Sequence, residues 1–372
     1  MARNVEHPLL ATPTPAEQRR QSFVLQLKQL LAREIRPAAR RAYEAKVKPG
    51  LVETLGREPA TGNEVAAAAG ATAEYRRFSA LNRTAQEMMW EAVTEPLVRE
   101  APRLSAEFRA RQASPRGSLT LDVDFVPPST MARIHVHLQP GGYTLDRGED
   151  DVLAGAIYEG GGVLYSQGQG VGTRESKAEV VRRFLAEHHP LLRPLRILDM
   201  GCGIGSSTTP YALAFPAAEV HGIDIGPGLL RYAHARAESM GAAVHFRTAN
   251  ATRTPFPDSS FDLVVSHNAM HEMPARDVQA MFAESRRLLT PGGVCVHQDV
   301  PFKLDAYDAY QQFDFCWDQR HNNEPHWVEY ATTDAASGLA AAGFAPADIW
   351  AGRYAQLDNS FAWYILSGRK PA

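Results

Sequence analysis

The stretch ILDMGCGIG, residues 197–205, decides the fold of this chain. Its first half is an apolar run of the kind that forms a buried strand. Its second half places glycine at every other position, and residues 206–208 then offer caps for a helix that Pro210 can begin. Glycines in such a turn let the backbone approach a ligand, and the helix N-terminus aims free N–H groups at it.

A carboxylate at the end of the next strand extends this interpretation. The segment EVHGID, residues 219–224, predicts a strand that ends in Asp224. A carboxylate at this place can accept hydrogen bonds from both hydroxyls of a ribose. The loop reads G-x-G-x-G, whereas the dinucleotide fingerprint is G-x-G-x-x-G, so a ribose is indicated and a pyrophosphate is not.

Strand-like and helix-like segments alternate from residue 195 to the end of the sequence. The predicted strands are 195–200, 218–224, 243–248, 262–267, 293–299, 346–350 and 361–368. Strands that alternate with helices of 10–15 residues are typical of βαβ units in a parallel sheet. The expected fold class is therefore α/β.

Four motifs in a fixed order make residues 165–372 resemble the class I S-adenosylmethionine-dependent methyltransferases. They are the glycine loop that Asp199 precedes, Asp224, the segment PFPDSSFDLVV at 255–265 and the segment LLTPGG at 288–293. The resemblance implies a Rossmann-like methyltransferase sheet of seven strands with the last one antiparallel. It also implies S-adenosyl-L-methionine as the cofactor.

The resemblance assigns the cofactor contacts to individual positions. The glycines would cradle the methionine part, Asp224 would hold the ribose, and Ile225 would pack on the adenine. The predicted cofactor-binding residues are Asp199, Gly201, Gly203, Gly205, Asp224, Ile225, Asn250, Ala251 and His267. Asn250 stands where the family usually has Asp. The alternative is that the glycines serve only a turn and that Asp224 only caps the next helix.

The segment MHEMP, residues 270–274, resembles the Leu-His-Asp-Trp-Pro pattern of small-molecule O-methyltransferases. By this resemblance His271 is a general base, since the pKa of an imidazole lies near working pH. Glu272 could orient that imidazole. The alternative is that His271 caps or packs the helix that follows. The Asn/Asp-Pro-Pro-aromatic turn of enzymes that methylate base amines or protein amides is absent, as is the Glu-rich loop of protein-arginine methyltransferases.

Residues 298–330 are rich in aromatic and polar side chains, which suits a small-ligand pocket. We expect this segment to cover the substrate. The predicted substrate-binding residues are Tyr165, Asp299, Trp317, His321 and Trp327. The alternative is that the aromatic side chains are core. The scattered histidines show no fixed ligand spacing, so no metal site is expected.

The N-terminal part is predicted to be mainly helical, at 15–48, 61–70 and 73–100, the last ending near Pro102. Alternation predicts strands at 119–125 and 134–138, and seven glycines predict a loop at 155–172. We therefore divide the chain into 1–160, an accessory and substrate-capping domain, and 161–372, the methyltransferase domain. By the resemblance, the first domain would also pair two copies into a homodimer.

Composition narrows the function classes. The 372 residues are 44% hydrophobic and carry a formal net charge of −3, so a sizeable core is expected and nucleic-acid binding is not favoured. Three scattered cysteines, no signal-like N-terminus and no long apolar run indicate a cytoplasmic protein without a membrane partner. We expect methyl transfer to a small molecule at a hydroxyl oxygen. The alternatives are an N- or S-methyltransferase, a cofactor-binding protein without methyl transfer, and an RNA methyltransferase that uses the basic stretch 19–48.

Overall fold

A computed structural model describes residues 6–132, 134–167 and 176–371. Its eight strands are β1 (Ser118–Thr120), β2 (Arg196–Met200), β3 (Glu219–Asp224), β4 (His245–Thr248), β5 (Phe261–His267), β6 (Leu289–Asp299), β7 (Ile349–Ala355) and β8 (Ala362–Arg369). They form one sheet in the order β1-β4-β3-β2-β5-β6-β8-β7. β8 lies antiparallel between β6 and β7, and the other neighbouring strands run parallel.

The predicted α/β class, the seven strands and the antiparallel last strand are confirmed. The eighth strand, β1, is an addition at the sheet edge, where Ser118 pairs with His245. Along β2, Ile197 packs into one core cluster and Leu198 into another, because successive side chains point to opposite faces. Both faces are covered by helices, which explains why the strand is an apolar run rather than an alternating one.

The helices of the C-terminal part lie between residues 177 and 341. They are α7 (Lys177–His188), α8 (Thr208–Ala214), α9 (Pro227–Ser239), α10 (Ala275–Leu288), α11 (Ala309–Phe315), α12 (Trp317–His321), α13 (Trp327–Thr332) and α14 (Ala335–Ala341). Core side chains of α7, α8 and α9 pack with Ile197, whereas those of α10 and α14 pack with Leu198. The loops after β2, β3, β4 and β5 meet at one edge of the sheet, which positions the candidate site.

The N-terminal helices are α1 (Pro15–Leu30), α2 (Arg36–Lys46), α3 (Lys48–Leu55), α4 (Gly62–Gly70), α5 (Ala73–Gln112) and α6 (Leu153–Tyr165). A π-helical turn at Leu31–Ile35 joins α1 to α2. The predicted end of α5 near Pro102 was wrong, because the helix continues through Pro96 and Pro102. Burial of Leu104 and Phe108 on its C-terminal part outweighs the hydrogen bonds that the prolines remove.

The predicted strand at 119–125 is confirmed only at its start, and the predicted strand at 134–138 was wrong. Only Ser118–Thr120 is a strand, and Val136–Leu138 is a 3-10 turn. His137 and Leu138 have positive φ angles of 55° and 62°, which an extended strand excludes. The alternating pattern of residues 134–138 therefore arises in a turn.

The glycines predicted to form a loop at 155–172 lie partly in a helix. α6 contains Gly155 and Gly161, where an added Cβ would lie 2.3 Å from Tyr232 and 2.5 Å from Trp90. The glycines allow α6 to pack closely against α5 and α9, so they serve helix contact rather than a turn. Residues 168–172 lie outside the described residues. The proposed domain boundary at 160/161 falls within α6.

The basic stretch of the N-terminal region meets acidic side chains of the segment after β6. Arg36 lies 2.6 Å from Asp314, and Arg40 lies 2.6 Å from Asp308. Two arginines of the basic stretch therefore form ion pairs within the chain. Among the described residues, no helix is both long and apolar enough to cross a bilayer.

Candidate functional site

A cavity opens at the edge of the sheet where β2, β3, β4 and β5 end. Its wall on the sheet side consists of Gly201, Gly203, Asp224, Ile225, Leu229, Ala249, Asn250, Ala251, Thr252, His267, Asn268, Ala269, His271, Glu272, Met273 and Asp277. The opposite wall consists of Pro128, Thr130, Met131, His137, Tyr143 and Tyr158. The cavity therefore lies between the sheet and the segment that connects β1 to α6.

Two glycines of the loop after β2 have different surroundings. A Cβ added to Gly203, where φ is 54°, would meet nothing within 4 Å, so this position faces open space. A Cβ added to Gly205, where φ is 69°, would lie 3.0 Å from the ring of Phe246. At Gly203 the absence of a side chain leaves room for a ligand next to the backbone. At Gly205 it leaves room for the ring of Phe246. Gly205 is not among the residues lining the cavity.

Asp224 lines the cavity and is also fixed by the backbone. Its carboxylate accepts the N–H of Gly203 at 2.8 Å and that of Gly226 at 3.0 Å. The second contact fixes the backbone just before α9, whose N-cap is Gly226, and the ligand role of Asp224 stays a prediction. Burial raises the pKa of Asp224 against these backbone donors.

Asp199 lies beneath the glycine loop, outside the cavity lining. The hydroxyl of Thr208 donates to Oδ2 at 2.6 Å, whereas Oδ1 is buried without a hydrogen-bond partner among the described residues. Burial raises the pKa of this carboxyl to about 7. A proton on this carboxyl, a water molecule or a ligand can satisfy such a buried acceptor.

Asn250 and His267 are held by neighbouring groups of the protein. Oδ1 of Asn250 accepts the N–H and the hydroxyl of Thr252, both at 2.9 Å. Both ring nitrogens of His267 have partners, Tyr211 at 3.1 Å and Gln298 at 2.7 Å. Burial lowers the pKa of His267 to about 3, so its ring is neutral. Ile225 and Ala251 contribute apolar wall beside Asn250.

Comparison with known proteins identifies the central part of this site. Residues 197–293, from β2 into β6, match the methyltransferase domain family. The chain carries a class I S-adenosylmethionine-dependent methyltransferase domain. The match contains the glycine loop, Asp224 and the His271-Glu272 pair, so the methyltransferase assignment rests on the same residues as the cavity.

Curated relatives match a limited part of this chain. Demethylmenaquinone methyltransferase of Thermus thermophilus is 36% identical over 108 residues, 29% of this chain and 48% of the relative. Phosphoethanolamine N-methyltransferase 1 of Arabidopsis thaliana is 30% identical over 158 residues, 41% of this chain and 31% of the relative. Malonyl-[acyl-carrier protein] O-methyltransferase of Hahella chejuensis is 37% identical over 100 residues, 27% of this chain and 34% of the relative.

The chain thus spans less than half of the length of each of these relatives. The names of these relatives give different acceptors, so the shared part does not decide the acceptor. Among solved structures, phosphoethanolamine N-methyltransferase 2 of Haemonchus contortus in complex with S-adenosyl-L-methionine is 17% identical. It is matched with a TM-score of 0.40 over 53% of each chain.

The residues present fit the cofactor that the methyltransferase family implies. Gly203 leaves open space for a ligand next to the backbone, and Asp224 presents a carboxylate to the same cavity. The buried Oδ1 of Asp199 lacks a donor, which an ammonium group or its bound water can supply. S-adenosyl-L-methionine carries a ribose and an ammonium group, so it offers both kinds of donor.

His271 occupies the cavity wall beyond the glycine loop and is held from behind by Asp299. Nδ1 of His271 lies 2.5 Å from Oδ1 of Asp299, whose other oxygen accepts the backbone N–H groups of Met270 and His271. Asp299 is fully buried and does not line the cavity. The predicted substrate contact is thus placed behind His271, whose Nε2 lies 3.5 Å from Oε1 of Glu272, a residue of the cavity wall.

His137 faces His271 across Glu272. Nε2 of His137 lies 3.1 Å from Oε1 of Glu272, and Nε2 of His271 lies 3.5 Å from the same oxygen. The hydroxyl of Tyr143 donates to this oxygen at 2.8 Å. Glu272 was predicted to orient His271, but Asp299 has the closer contact and Glu272 lies between the two imidazoles.

Tyr165 belongs to a second layer behind His137. Its hydroxyl lies 2.9 Å from Nδ1 of His137 and donates to Glu324 at 3.2 Å. Nδ1 of His137 lies 2.8 Å from the same Glu324 carboxylate, which also accepts the amide of Asn322 at 2.7 Å. Tyr165 therefore contacts a cavity residue without lining the cavity.

The other predicted substrate residues lie outside the cavity lining. Trp317 is buried against Phe78 and donates its N–H to Ser79 of α5 at 2.9 Å. The ring of His321 packs on Trp317. Trp327 contacts the His271 ring edge-on at 5.5 Å and stacks on Phe315. Most of the buried aromatic segment packs against the N-terminal helices, which agrees with the core alternative for Trp317.

Sequence reasoning missed His137 and Tyr143. Both belong to the segment predicted as strand and loop, and neither lies in a motif of the methyltransferase domain. The only signal was the pair of histidines at 135 and 137, which the alternating pattern assigned to a strand. The carbonyl of His137 accepts the indole N–H of Trp90 at 2.6 Å, a contact from a helix far away in the sequence.

Proposed function

We propose that this protein transfers the methyl group of S-adenosylmethionine to an oxygen atom of a small-molecule acceptor. The observation that carries this proposal is the position of His271, fixed at Nδ1 by Asp299, with Nε2 facing the cavity that the glycine loop shares. Asp299 and Glu272 raise the pKa of His271 well above its usual value against the effect of burial, so the ring has to release its own proton before it can receive one from an acceptor hydroxyl. Glu272 and Tyr143 provide hydrogen-bonding groups that position the hydroxyl.

The composition of the cavity wall supports a small-molecule acceptor. The residues that line it in the described part of the chain include no lysine or arginine. Binding of RNA draws most of its affinity from contacts between such side chains and phosphates. Apolar and aromatic walls with a few convergent polar groups are typical of sites for small organic ligands.

S-adenosylmethionine supplies a methyl group on a positively charged sulfur when it is bound. Asp224 and the glycine loop hold the ribose and methionine parts, so the acceptor has to approach from the side of His271. A lone pair of the acceptor oxygen forms the new C–O bond, the C–S bond breaks with its electron pair left on sulfur, and the hydroxyl proton passes to Nε2 of His271. Fixed orientation of the two reactants contributes much of the rate.

A nitrogen acceptor is the second candidate, and Glu272 is the observation that favours it. Its carboxylate lies in the cavity wall, and His137 and His271 hold its pKa well below the usual range. A negative charge at this place would attract an ammonium group, and Tyr143 and Tyr158 offer aromatic faces beside it. The nitrogen attacks as the neutral amine after its proton has passed to water, so no side chain has to serve as the general base.

The test uses methyl-labelled S-adenosylmethionine and a fractionated bacterial extract, with the wild-type chain, His271→Gln and Asp224→Ala. We expect label in the small-molecule fraction as a methyl ether or ester. His271→Gln should lower the rate by about 10²- to 10⁴-fold while cofactor binding is retained. Label in an ammonium product with little effect of His271→Gln would favour nitrogen. Label in RNA or protein would overturn the proposal.

A further inference from the structure

We propose that His137, His271 and Glu272 form a binding site for one divalent transition-metal ion at the acceptor end of the cavity. The three side chains offer two imidazole nitrogens and one carboxylate oxygen that all lie within 4.8 Å of one another. Only its role in methyl transfer rests on the proposed function.

The spacing of the donor atoms suits a metal ion. Nε2 of His137 and Nε2 of His271 lie 3.1 and 3.5 Å from Oε1 of Glu272. Ligand atoms that are each about 2.1 Å from one ion lie about 3.0–3.4 Å apart in octahedral or tetrahedral geometry. The two distances to Glu272 are thus close to those of a bound ion, and the two imidazole nitrogens lie within 4.8 Å of each other.

Each imidazole is anchored in the way that metal-binding histidines are anchored. Nδ1 of His271 contacts Asp299 at 2.5 Å, and Nδ1 of His137 contacts Glu324 at 2.8 Å. Both carboxylates lie on the side away from Glu272, so each ring turns Nε2 toward the same oxygen. A carboxylate on the second ring nitrogen fixes the tautomer and orientation of a histidine that binds metal.

The backbone of His137 is held in an uncommon conformation. Its φ of 55° and ψ of 16° lie in the left-handed region, which a residue with a side chain seldom adopts. The N–H of Trp90 and the amide of Gln86 both donate to its carbonyl, at 2.6 and 3.1 Å. Local strain that neighbouring groups enforce is characteristic of functional sites.

The buried carboxylates that contact the two imidazoles outnumber them by one. Three buried carboxylates, Glu272, Glu324 and Asp299, contact the two rings. None of the three has an ion pair with lysine or arginine among the described residues. A divalent cation compensates two of these negative charges and leaves both imidazoles neutral, as coordination requires.

Two nitrogens and one carboxylate oxygen suit Fe²⁺, Co²⁺, Mn²⁺ or Zn²⁺. Three protein ligands leave coordination positions open for an oxygen of the acceptor. Coordination lowers the pKa of that hydroxyl, so its proton leaves to water before the oxygen attacks the methyl carbon. In this form His271 is a ligand, and no free imidazole base is needed.

The test is a titration of the full chain, stripped with a chelator, with Co²⁺ followed by visible absorption and with Zn²⁺ in competition. We expect one saturable site with bands of a nitrogen- and oxygen-ligated ion. His137→Gln and Glu272→Gln should weaken Co²⁺ binding by at least about 100-fold, and Asp299→Asn by about 10- to 100-fold. His188→Gln, an exposed histidine at the end of α7, is the matched control and should bind as the wild type does.

Binding of S-adenosylhomocysteine and the unfolding temperature verify that each variant is folded. No saturable Co²⁺ site, or equal binding by wild type, His137→Gln and Glu272→Gln, would overturn the metal site. Oxygen methylation that persists in the stripped chain would also overturn its catalytic role, while the proposed function would stand with His271 as base. Tight Co²⁺ binding combined with a nitrogen product would overturn the proposed function and leave the metal site standing.

Discussion

Asp299, the last residue of β6, holds the imidazole of His271 through a 2.5 Å contact between Oδ1 and Nδ1. The same carboxylate accepts two backbone N–H groups from the turn that carries His271. Asp299 thus fixes both the ring and the backbone to which the ring is attached. It is a positioning residue, since it reaches the cavity only through His271.

Asp299→Asn is expected to lower kcat by about 10- to 100-fold, since an amide holds the imidazole less strongly and no longer selects its tautomer. The Michaelis constant for S-adenosylmethionine should change little, because the glycine loop and Asp224 are untouched. Steady-state kinetics with the labelled cofactor measure both constants. Asp305→Asn, an exposed carboxylate in the loop after β6, is the control. An unchanged kcat would contradict the role given to Asp299.

Asp224→Asn is expected to weaken the binding of S-adenosylhomocysteine by about 10- to 100-fold, the usual range for hydrogen bonds to a charged group. The loss arises because the carboxylate both faces the cavity and receives the N–H of Gly203. Titration calorimetry measures the affinity. Asp258→Asn, whose side chain is 77% exposed, should bind as the wild type does. Equal affinities of Asp224→Asn and wild type would remove Asp224 from the cofactor site.

Gly161→Ala and Gly162→Ala are neighbouring changes in α6 with opposite expected effects. A Cβ at Gly161 would lie 2.5 Å from the Trp90 ring, whereas one at Gly162 would meet nothing within 4 Å. The first change should destabilise the fold by about 1–3 kcal/mol through overpacking. The second should stabilise it by about 0.5–1 kcal/mol, because alanine favours the helix. Denaturant unfolding measures both, and a shared sign would contradict the helix packing described for α6.

The ion pair between Glu17 and Arg99 is expected to make the stability of the fold depend on pH in the acid range. Hydrogen bonds from Arg99 and from the backbone of Thr14 lower the pKa of Glu17 from 4.5 to about 2. A lowered folded-state pKa contributes stability that is full above pH 4.5 and is lost as the pH falls toward 2. Glu17→Gln should therefore unfold at a lower temperature than wild type at pH 7, and the difference should shrink toward pH 2. Glu53→Gln, at an exposed position of α3, is the control. A difference that does not depend on pH would contradict this account.

The parts of the fold that the sequence predicted correctly depend on local patterns. The glycine loop, the seven predicted strands and the antiparallel β8 each follow from residues adjacent in the chain, and the structure confirms them. The carboxyl ends of neighbouring parallel strands meet at one edge, so the cavity at Gly203, Asp224 and His271 also follows from strand order. The contacts of the individual cofactor and acceptor residues remain predictions.

The remaining features depend on contacts between residues that are distant in the chain. From the sequence alone, Gly155 and Gly161 indicate a loop. Only the close packing of Tyr232 on Gly155 and of Trp90 on Gly161 explains why glycines stand within a helix. From the sequence alone, Trp317 suits a substrate pocket, but in the structure it packs against Phe78 of α5. His137 lies in a turn that Trp90 and Gln86 hold from another helix, so no pattern around residue 137 could place it in the cavity.

Trp90 connects two of these features. Its ring closes on Gly161 of α6, and its indole N–H holds the carbonyl of His137. A side chain at position 161 would displace the indole of Trp90. Because the indole N–H is bonded to the carbonyl of His137, the displacement would shift His137 as well. The residues that line the cavity would stay the same, but the orientation of the His137 side chain would change. A substitution at the contact between α5 and α6, outside the cavity, can thus change the rate of the reaction without altering any residue that faces the reactants.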